Sequence, residues 1–168
     1  RPNPFAMSLR KNAPRIIGVI VPDIVTHFFA SILNGIENMA IDNGYFVIIT
    51  TSHESFEHEK RNIENLVNMR VEGIIACLSQ ETTDFSHFAA LKEINMPLIL
   101  FDRVCLTDQF SSVIADGAQS AQMATQHLLD NGSKRVAFIG GANHLDIVKR
   151  RKHGYLEALR DNRIPIEK

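Results

Sequence analysis

The sequence lacks tryptophan, contains only two cysteines, and has no apolar run approaching the ~20 residues that cross a bilayer. Cys77 and Cys105 lie in or beside apolar stretches, without the spacing of metal ligands. This pattern favours two free thiols in a reducing compartment, with a disulfide as the alternative, and we expect a cytoplasmic protein. No secretory signal is visible, but the chain begins with Arg1 rather than Met, and we expect it to be a piece of a larger protein.

Recognisable catalytic and phosphate-binding motifs are also missing. The chain has no G-x-G-x-x-G after its first apolar stretch, no G-x-x-x-x-G-K-S/T and no G-x-S-x-G. Its seven histidines are scattered, and none forms the H-E-x-x-H pair of a zinc site. The sequence therefore predicts no catalytic residue, no metal site and no cofactor, and an α/β enzyme is the least supported class of function.

Charge is unevenly distributed along the chain. The formal net charge is −1, which does not indicate a nucleic-acid partner for the molecule as a whole. Residues 1–15 nevertheless carry four Lys or Arg side chains and no acid, so this arm is +4 and the remainder is −5. A short basic arm on a mildly acidic body indicates that the arm has its own partner, and a solvated tail is the alternative.

The apolar residues predict alternating strands and helices. Apolar stretches that begin near residues 16, 45, 73 and 98 recur every ~25–30 residues with helical patterns between them, the spacing of right-handed βαβ units in a parallel sheet. A short edge strand is expected at residues 112–115. The spacing then resets near residue 117, after which we predict another strand at 136–139 and a last helix from about Lys152.

The loops that follow the strands contain the first candidate binding residues. In an open parallel sheet, ligands bind at the carboxyl ends of the strands. Asp23, Phe28 and Phe29 follow the first strand, and Asp102 with Arg103 follows the fourth. These side chains predict a site for a polar ligand. The alternatives are a plain connection with two buried phenylalanines, and a charged pair that contacts only itself.

Taken in order, several segments of the chain resemble the LacI/GalR family of bacterial transcriptional regulators. The first are NPFAMSLRK at 3–11, IGVIVPD at 17–23 and the following FF at 28–29. The later ones are VEGII at 71–75, PLILFDR at 97–103, VIAD at 113–116, HLLDNG at 127–132, RVAFIGG at 135–141 and RKHGYLEAL at 151–159. Each motif is weak alone, but their order and spacing are specific and cover essentially the whole chain.

The resemblance implies an α/β fold of two lobes, similar to the type I periplasmic binding proteins, in which each lobe is a parallel sheet flanked by helices. By this comparison residues 1–14 are a hinge or linker segment, residues 15–116 the N-terminal lobe, and residues 117–168 the start of a second, truncated lobe. A helix-turn-helix would precede the hinge.

The resemblance also implies two sets of binding residues. Between the lobes, a small effector, a sugar or other metabolite, would contact residues from both lobes: Asp23, Phe28, Phe29, Asp102 and Arg151. In the paired hinge helices of a homodimer, operator DNA would meet Ala6, Leu9 and Arg10, with Leu9 wedged into the minor groove.

The sequence thus predicts a DNA-binding regulator, a repressor, whose core binds an effector and controls operator binding. The alternative is an extracytoplasmic sugar-binding protein of the same fold. The basic, hinge-like arm before the first strand argues against that alternative.

Overall fold

The computed structural model describes residues 15–166 and places an alternating series of strands and helices in them. The strands are β1 (Ile16–Val21), β2 (Phe46–Thr51), β3 (Gly73–Ala76), β4 (Leu98–Phe101) and β5 (Ser111–Val113). The helices are α1 (His27–Asp42), α2 (Phe56–Asn68), α3 (Ser86–Glu93), α4 (Gly117–Asp130) and α5 (Asp146–Asp161). Within these described residues, no helix is both long and apolar enough to span a membrane.

All five strands form one parallel sheet in the order β2-β1-β3-β4-β5. The central strand β1 is almost entirely buried because its apolar residues are covered on both faces. The predicted α/β class and the parallel sheet are therefore confirmed, and the expected edge strand is β5.

Side-chain alternation along β1 supplies both layers of the core. Ile20 packs with the buried stripe of α2 and with Phe88 of α3 on one face of the sheet. Val19 and Val21 pack with α1 on the other face. Because helices cover both faces of the sheet, a ligand can approach the sheet where its strands end.

Residues 114–166 form a second compact unit, which begins directly after β5. It contains α4 and α5. The side chain of Asp116 accepts a hydrogen bond from the backbone N of Gln119 at 3.0 Å and so caps the start of α4. Gly154 of α5 lies against the backbone of Ala118 in α4, so that the two helices approach closely.

Two sequence predictions for this unit are wrong. Residues 136–139 form no strand. A strand needs a second extended segment to hydrogen-bond with, and the described part of this unit contains none. Instead, the Tyr155 hydroxyl donates to the Val136 carbonyl at 2.8 Å, and the Phe138 ring stacks on Tyr155. The last helix begins at Asp146 rather than near Lys152, so the basic run 149–152 lies within α5.

Candidate functional site

The candidate site of the first unit lies at the carboxyl edge of its sheet. Because the strands are parallel, the loops after β1, β2, β3 and β4 emerge at one edge. These loops contribute Asp23, Glu54, Gln80, Asp102 and Arg103. We call this group the carboxyl-edge cluster.

Asp23 organises the loop after β1. Its Oδ1 accepts hydrogen bonds from the backbone N atoms of Val25 and Thr26, each at 2.9 Å, immediately before α1 begins. The hydrogen bond from Thr26, supported by that from Val25, holds the pKa of Asp23 below its ordinary value. The carboxylate is therefore ionised at neutral pH and can accept further hydrogen bonds.

The two phenylalanines at the start of α1 have different environments. Phe29 is only 4% exposed and meets the ring of Phe101 edge-on at 6.4 Å in the core. Phe28 is 50% exposed, and its ring packs edge-on against Phe29 at 5.2 Å. Phe28 thus offers the accessible aromatic surface, and Phe29 supports it from beneath.

An ion pair that sequence reasoning missed crosses this edge. Arg103 Nη1 donates to Glu54 Oε2 at 2.6 Å, and the same oxygen accepts the backbone N–H of Gln80 at 2.6 Å. Arg103 Nη1 also lies 3.3 Å from the carbonyl O of Leu78. No local pattern signals Glu54, because its partner Arg103 is 49 residues away in sequence.

The backbone at two of these strand ends is unusual. His53, Glu54 and Asp102 all adopt left-handed conformations, with φ between 52° and 60°. Such angles are uncommon for residues other than glycine and tend to occur at functional sites. The ends of β2 and β4 are therefore held in defined, costly conformations.

The two cysteines near this edge are not thiolates at neutral pH. Cys77 and Cys105 are both buried and free, as the favoured interpretation of the sequence predicted. Burial raises the pKa of each thiol to about 12, so both remain protonated. Among the described residues, no group of three His, Cys, Asp or Glu side chains could hold a metal ion.

The candidate from the second unit, Arg151, lies exposed on α5 within the basic run. Its neighbour Arg150 forms an ion pair with Asp146, one helical turn earlier, with 2.5 Å between Arg150 Nε and Asp146 Oδ2. Among the described residues, Arg151 has no such ion pair. Arg150 and Arg151 therefore differ in whether an acidic side chain is paired with them. The hinge candidates Ala6, Leu9 and Arg10 lie outside the described residues.

Comparison with known proteins gives a consistent assignment. The family model for periplasmic binding proteins and the sugar-binding domain of the LacI family matches residues 15–168. Catabolite control protein A of Priestia megaterium is 33% identical over 171 residues, which covers 99% of this chain and 50% of that protein. The ribose operon repressor of Halalkalibacterium halodurans is 27% identical over 164 residues, which covers 98% of this chain and 48% of the repressor.

A solved structure supports the same fold. A periplasmic binding protein/LacI transcriptional regulator from Alkaliphilus metalliredigens, complexed with D-xylulofuranose, superimposes with a TM-score of 0.80 at 27% identity. The match covers 91% of this chain and 55% of that one.

The chain spans about half the length of the curated relatives it matches, and these relatives are regulators by name rather than enzymes. The resemblance noted from the sequence is confirmed by a family model that covers the chain from β1 onward. The chain belongs to the family that comprises the periplasmic binding proteins and the sugar-binding domain of the LacI family.

Proposed function

We propose that this chain is the effector-binding core of a bacterial DNA-binding repressor. The observation that carries the proposal is the match of residues 15–168 to the family of the LacI-type sugar-binding domain. The carboxyl-edge cluster supports it, because it lies at the edge where parallel sheets bind ligands. A homodimer, operator DNA as partner, a cytoplasmic location and the absence of catalysis belong to the same proposal.

The proposed effector is a sugar or other small polar metabolite held by five residues. The exposed ring of Phe28, backed by Phe29, supplies a flat apolar surface for a sugar ring. Asp23 and Asp102 accept hydrogen bonds from hydroxyl groups, and Arg151 donates hydrogen bonds from the second unit. The sugar ligand of the Alkaliphilus regulator supports this choice of ligand class.

The proposed mechanism couples the effector to the relative closure of two lobes. A ligand that contacts both lobes binds one closure state better than the other and shifts the population toward it. In the dimer, the change in closure would order or disorder the hinge helices on operator DNA. The direction of the response, induction or co-repression, depends on which closure state the ligand prefers.

A homodimer would cover apolar side chains that α1 and the edge strand β2 leave exposed. Met39 and Ile41 of α1 and Phe46 and Ile49 of β2 are each more than two-fifths exposed. An accessible edge strand with apolar neighbours is a surface that natural proteins usually cover. This exposure supports self-association.

The test of the function combines two measurements on the full-length protein. A thermal-shift screen identifies a sugar that raises Tm, because a ligand that binds only the folded state stabilises it. A gel-shift titration then measures affinity for operator DNA, selected from a random library, with and without that sugar. A stabilising sugar that leaves DNA affinity unchanged would contradict the proposal.

The alternative from the sequence, an extracytoplasmic sugar-binding protein of the same fold, is not favoured by the named relatives, which are regulators. It predicts a secretion signal upstream of Arg1, whereas the repressor predicts a helix-turn-helix. Sequencing the gene upstream of this segment therefore separates the two functions directly.

The first prediction concerns Arg151. Arg151→Ala in the full-length protein should weaken binding of the sugar found by the screen by ~2–4 kcal/mol, since a charge-assisted donor is lost. It should also remove the sugar's effect on DNA while leaving ligand-free DNA binding intact. Isothermal calorimetry measures the first effect and gel shift the second.

Arg150→Ala is the matched control for this experiment. It removes the same charge from the adjacent position, where the side chain is already engaged by Asp146 in a partly exposed pair. Sugar affinity should be nearly unchanged. A crippled Arg150 variant beside a normal Arg151 variant would mean that the register of the basic run is wrong by one residue.

The second prediction concerns the hinge. A leucine wedged into a base step kinks the duplex and allows wider contact with it. Leu9→Ala in the full-length dimer should therefore weaken operator binding by at least about tenfold, equivalent to ~1.4 kcal/mol. Sugar binding measured by calorimetry should stay unchanged in the same preparation. Wild-type operator affinity in the variant would remove the hinge assignment.

A further inference from the structure

Glu54 connects the end of β2 with the ends of β3 and β4, which lie on the other side of β1 in the sheet. β1 and β3 lie between β2 and β4 in the sheet. Glu54, just after β2, nevertheless reaches Arg103, just after β4, and the backbone N–H of Gln80, which follows β3. One carboxylate oxygen, Oε2, accepts both hydrogen bonds at 2.6 Å.

This ion pair lies at the surface and not within the core. The side chains of Arg103 and Glu54 are 19% and 37% exposed, so both reach solvent at the edge. The backbone at Glu54 and at the preceding His53 is left-handed, a conformation that costs energy for side chains with a Cβ. A costly backbone that aims a carboxylate at an accessible arginine indicates a functional role for the pair.

Arg103 is also the only Lys or Arg side chain in the four loop segments that form this edge of the first unit. The loop segments 22–26, 52–55, 77–82 and 102–106 contain four acids and a single Lys or Arg, which is Arg103. The acids are Asp23, Glu54, Glu81 and Asp102. An anionic ligand entering here could therefore find only one cationic partner in these segments.

We propose that Glu54 is a positioning and specificity-determining residue that engages Arg103 and withholds its charge from ligands. The carboxyl edge of the first unit is thereby set for an uncharged polyhydroxyl ligand and against a phosphorylated one. A guanidinium binds phosphate strongly through paired N–H donors, and the pair with Glu54 occupies one of these donors and neutralises the charge. This inference rests on the proposed function, because it takes the edge to be part of the effector site.

The experiment uses inorganic phosphate as the probe and Glu54→Gln as the variant. Glutamine keeps the size of the side chain and removes its charge, which frees Arg103 for an anion. Calorimetric titration at fixed ionic strength measures binding directly, whereas phosphate can raise Tm merely by its exclusion from protein surfaces. In these titrations phosphate should bind Glu54→Gln and give no binding response with the wild type. Phosphate affinity derived from these titrations should increase at least about tenfold.

Two further variants identify the responsible group. Glu54→Gln/Arg103→Gln should lose the response to phosphate, because the cation is gone. Glu57→Gln removes one exposed acid from the first turn of α2 and should behave as the wild type. A phosphate response in the wild type, in the double variant or in Glu57→Gln would overturn the proposal, as would its absence from both Glu54→Gln and Glu54→Ala.

The wild type itself provides a measurement that does not depend on how the variants fold. Nuclear magnetic resonance of the Arg103 guanidinium should show hindered rotation about Nε–Cζ, because Glu54 and the Leu78 carbonyl hold Nη1. A freely rotating guanidinium would overturn the proposal. If the sugar screen finds no effector while the phosphate results are as expected, the proposed function fails and the role of Glu54 in restraining Arg103 stands.

Discussion

Gly154→Ala should lower the free energy of unfolding of the second unit by about 3 kcal/mol or more, because the substitution overpacks a helix contact with no room to give. A Cβ at Gly154 would lie 1.9 Å from the carbonyl oxygen of Ala118 and 2.8 Å from its carbonyl carbon. Both are backbone atoms of α4 and cannot turn aside as a side chain would. The helices must therefore separate, and the contacts between α4 and α5 must weaken.

Gly35→Ala is the matched control, because Gly35 also lies inside a helix, α1, and has no atom within 4 Å of an added Cβ. Alanine is the better helix former by about 1 kcal/mol, so this variant should be neutral or slightly stabilised. Urea unfolding gives the stabilities, and amide hydrogen exchange locates the loss in residues 114–166. Wild-type protection of α4 and α5 in Gly154→Ala would refute the close approach of these helices.

The strands of the first unit could be predicted because the information is local. Each buried parallel strand is a short apolar run bounded by turn residues, as between Ile16 and Pro22. The position of the ligand edge then follows from the topology alone. The difference between Phe28 and Phe29 is also local, since Phe29 continues the buried stripe of Leu33 and Ala40 whereas Phe28 does not.

Other features could not be predicted because they depend on strand order or on missing neighbours. The pairing of Glu54 with Arg103 requires knowledge that the β2 end can reach past β1 and β3, which no sequence window contains. The apolar residues 136–139 have the composition of a strand, but composition cannot supply a hydrogen-bonding partner. The buried contacts of Glu59 could not be predicted either, because all of its hydrogen-bond partners lie much later in the sequence.

Glu59→Ala should destabilise the first unit by at least ~3 kcal/mol, because three buried donors lose their shared acceptor at ~1–3 kcal/mol each. Glu59 is 0% exposed in α2 and accepts three hydrogen bonds. The donors are the backbone N of Ser79 at 2.6 Å, Thr82 Oγ1 at 2.7 Å and His87 Nε2 at 2.9 Å, taking His87 as the tautomer that donates from Nε2. Truncation leaves all three without their acceptor in a site that excludes water.

Glu64→Ala, at an exposed position of the same helix, is the control and should change stability by no more than ~0.5 kcal/mol. A double-mutant cycle with Thr82→Val tests the mechanism further. The Thr82 hydroxyl bonds the Glu59 carboxylate, so Thr82→Val should cost less in the Glu59→Ala background than in the wild type. Additive losses in urea unfolding would mean that Glu59 and Thr82 stabilise the fold through separate contacts, and the buried network would then be wrong.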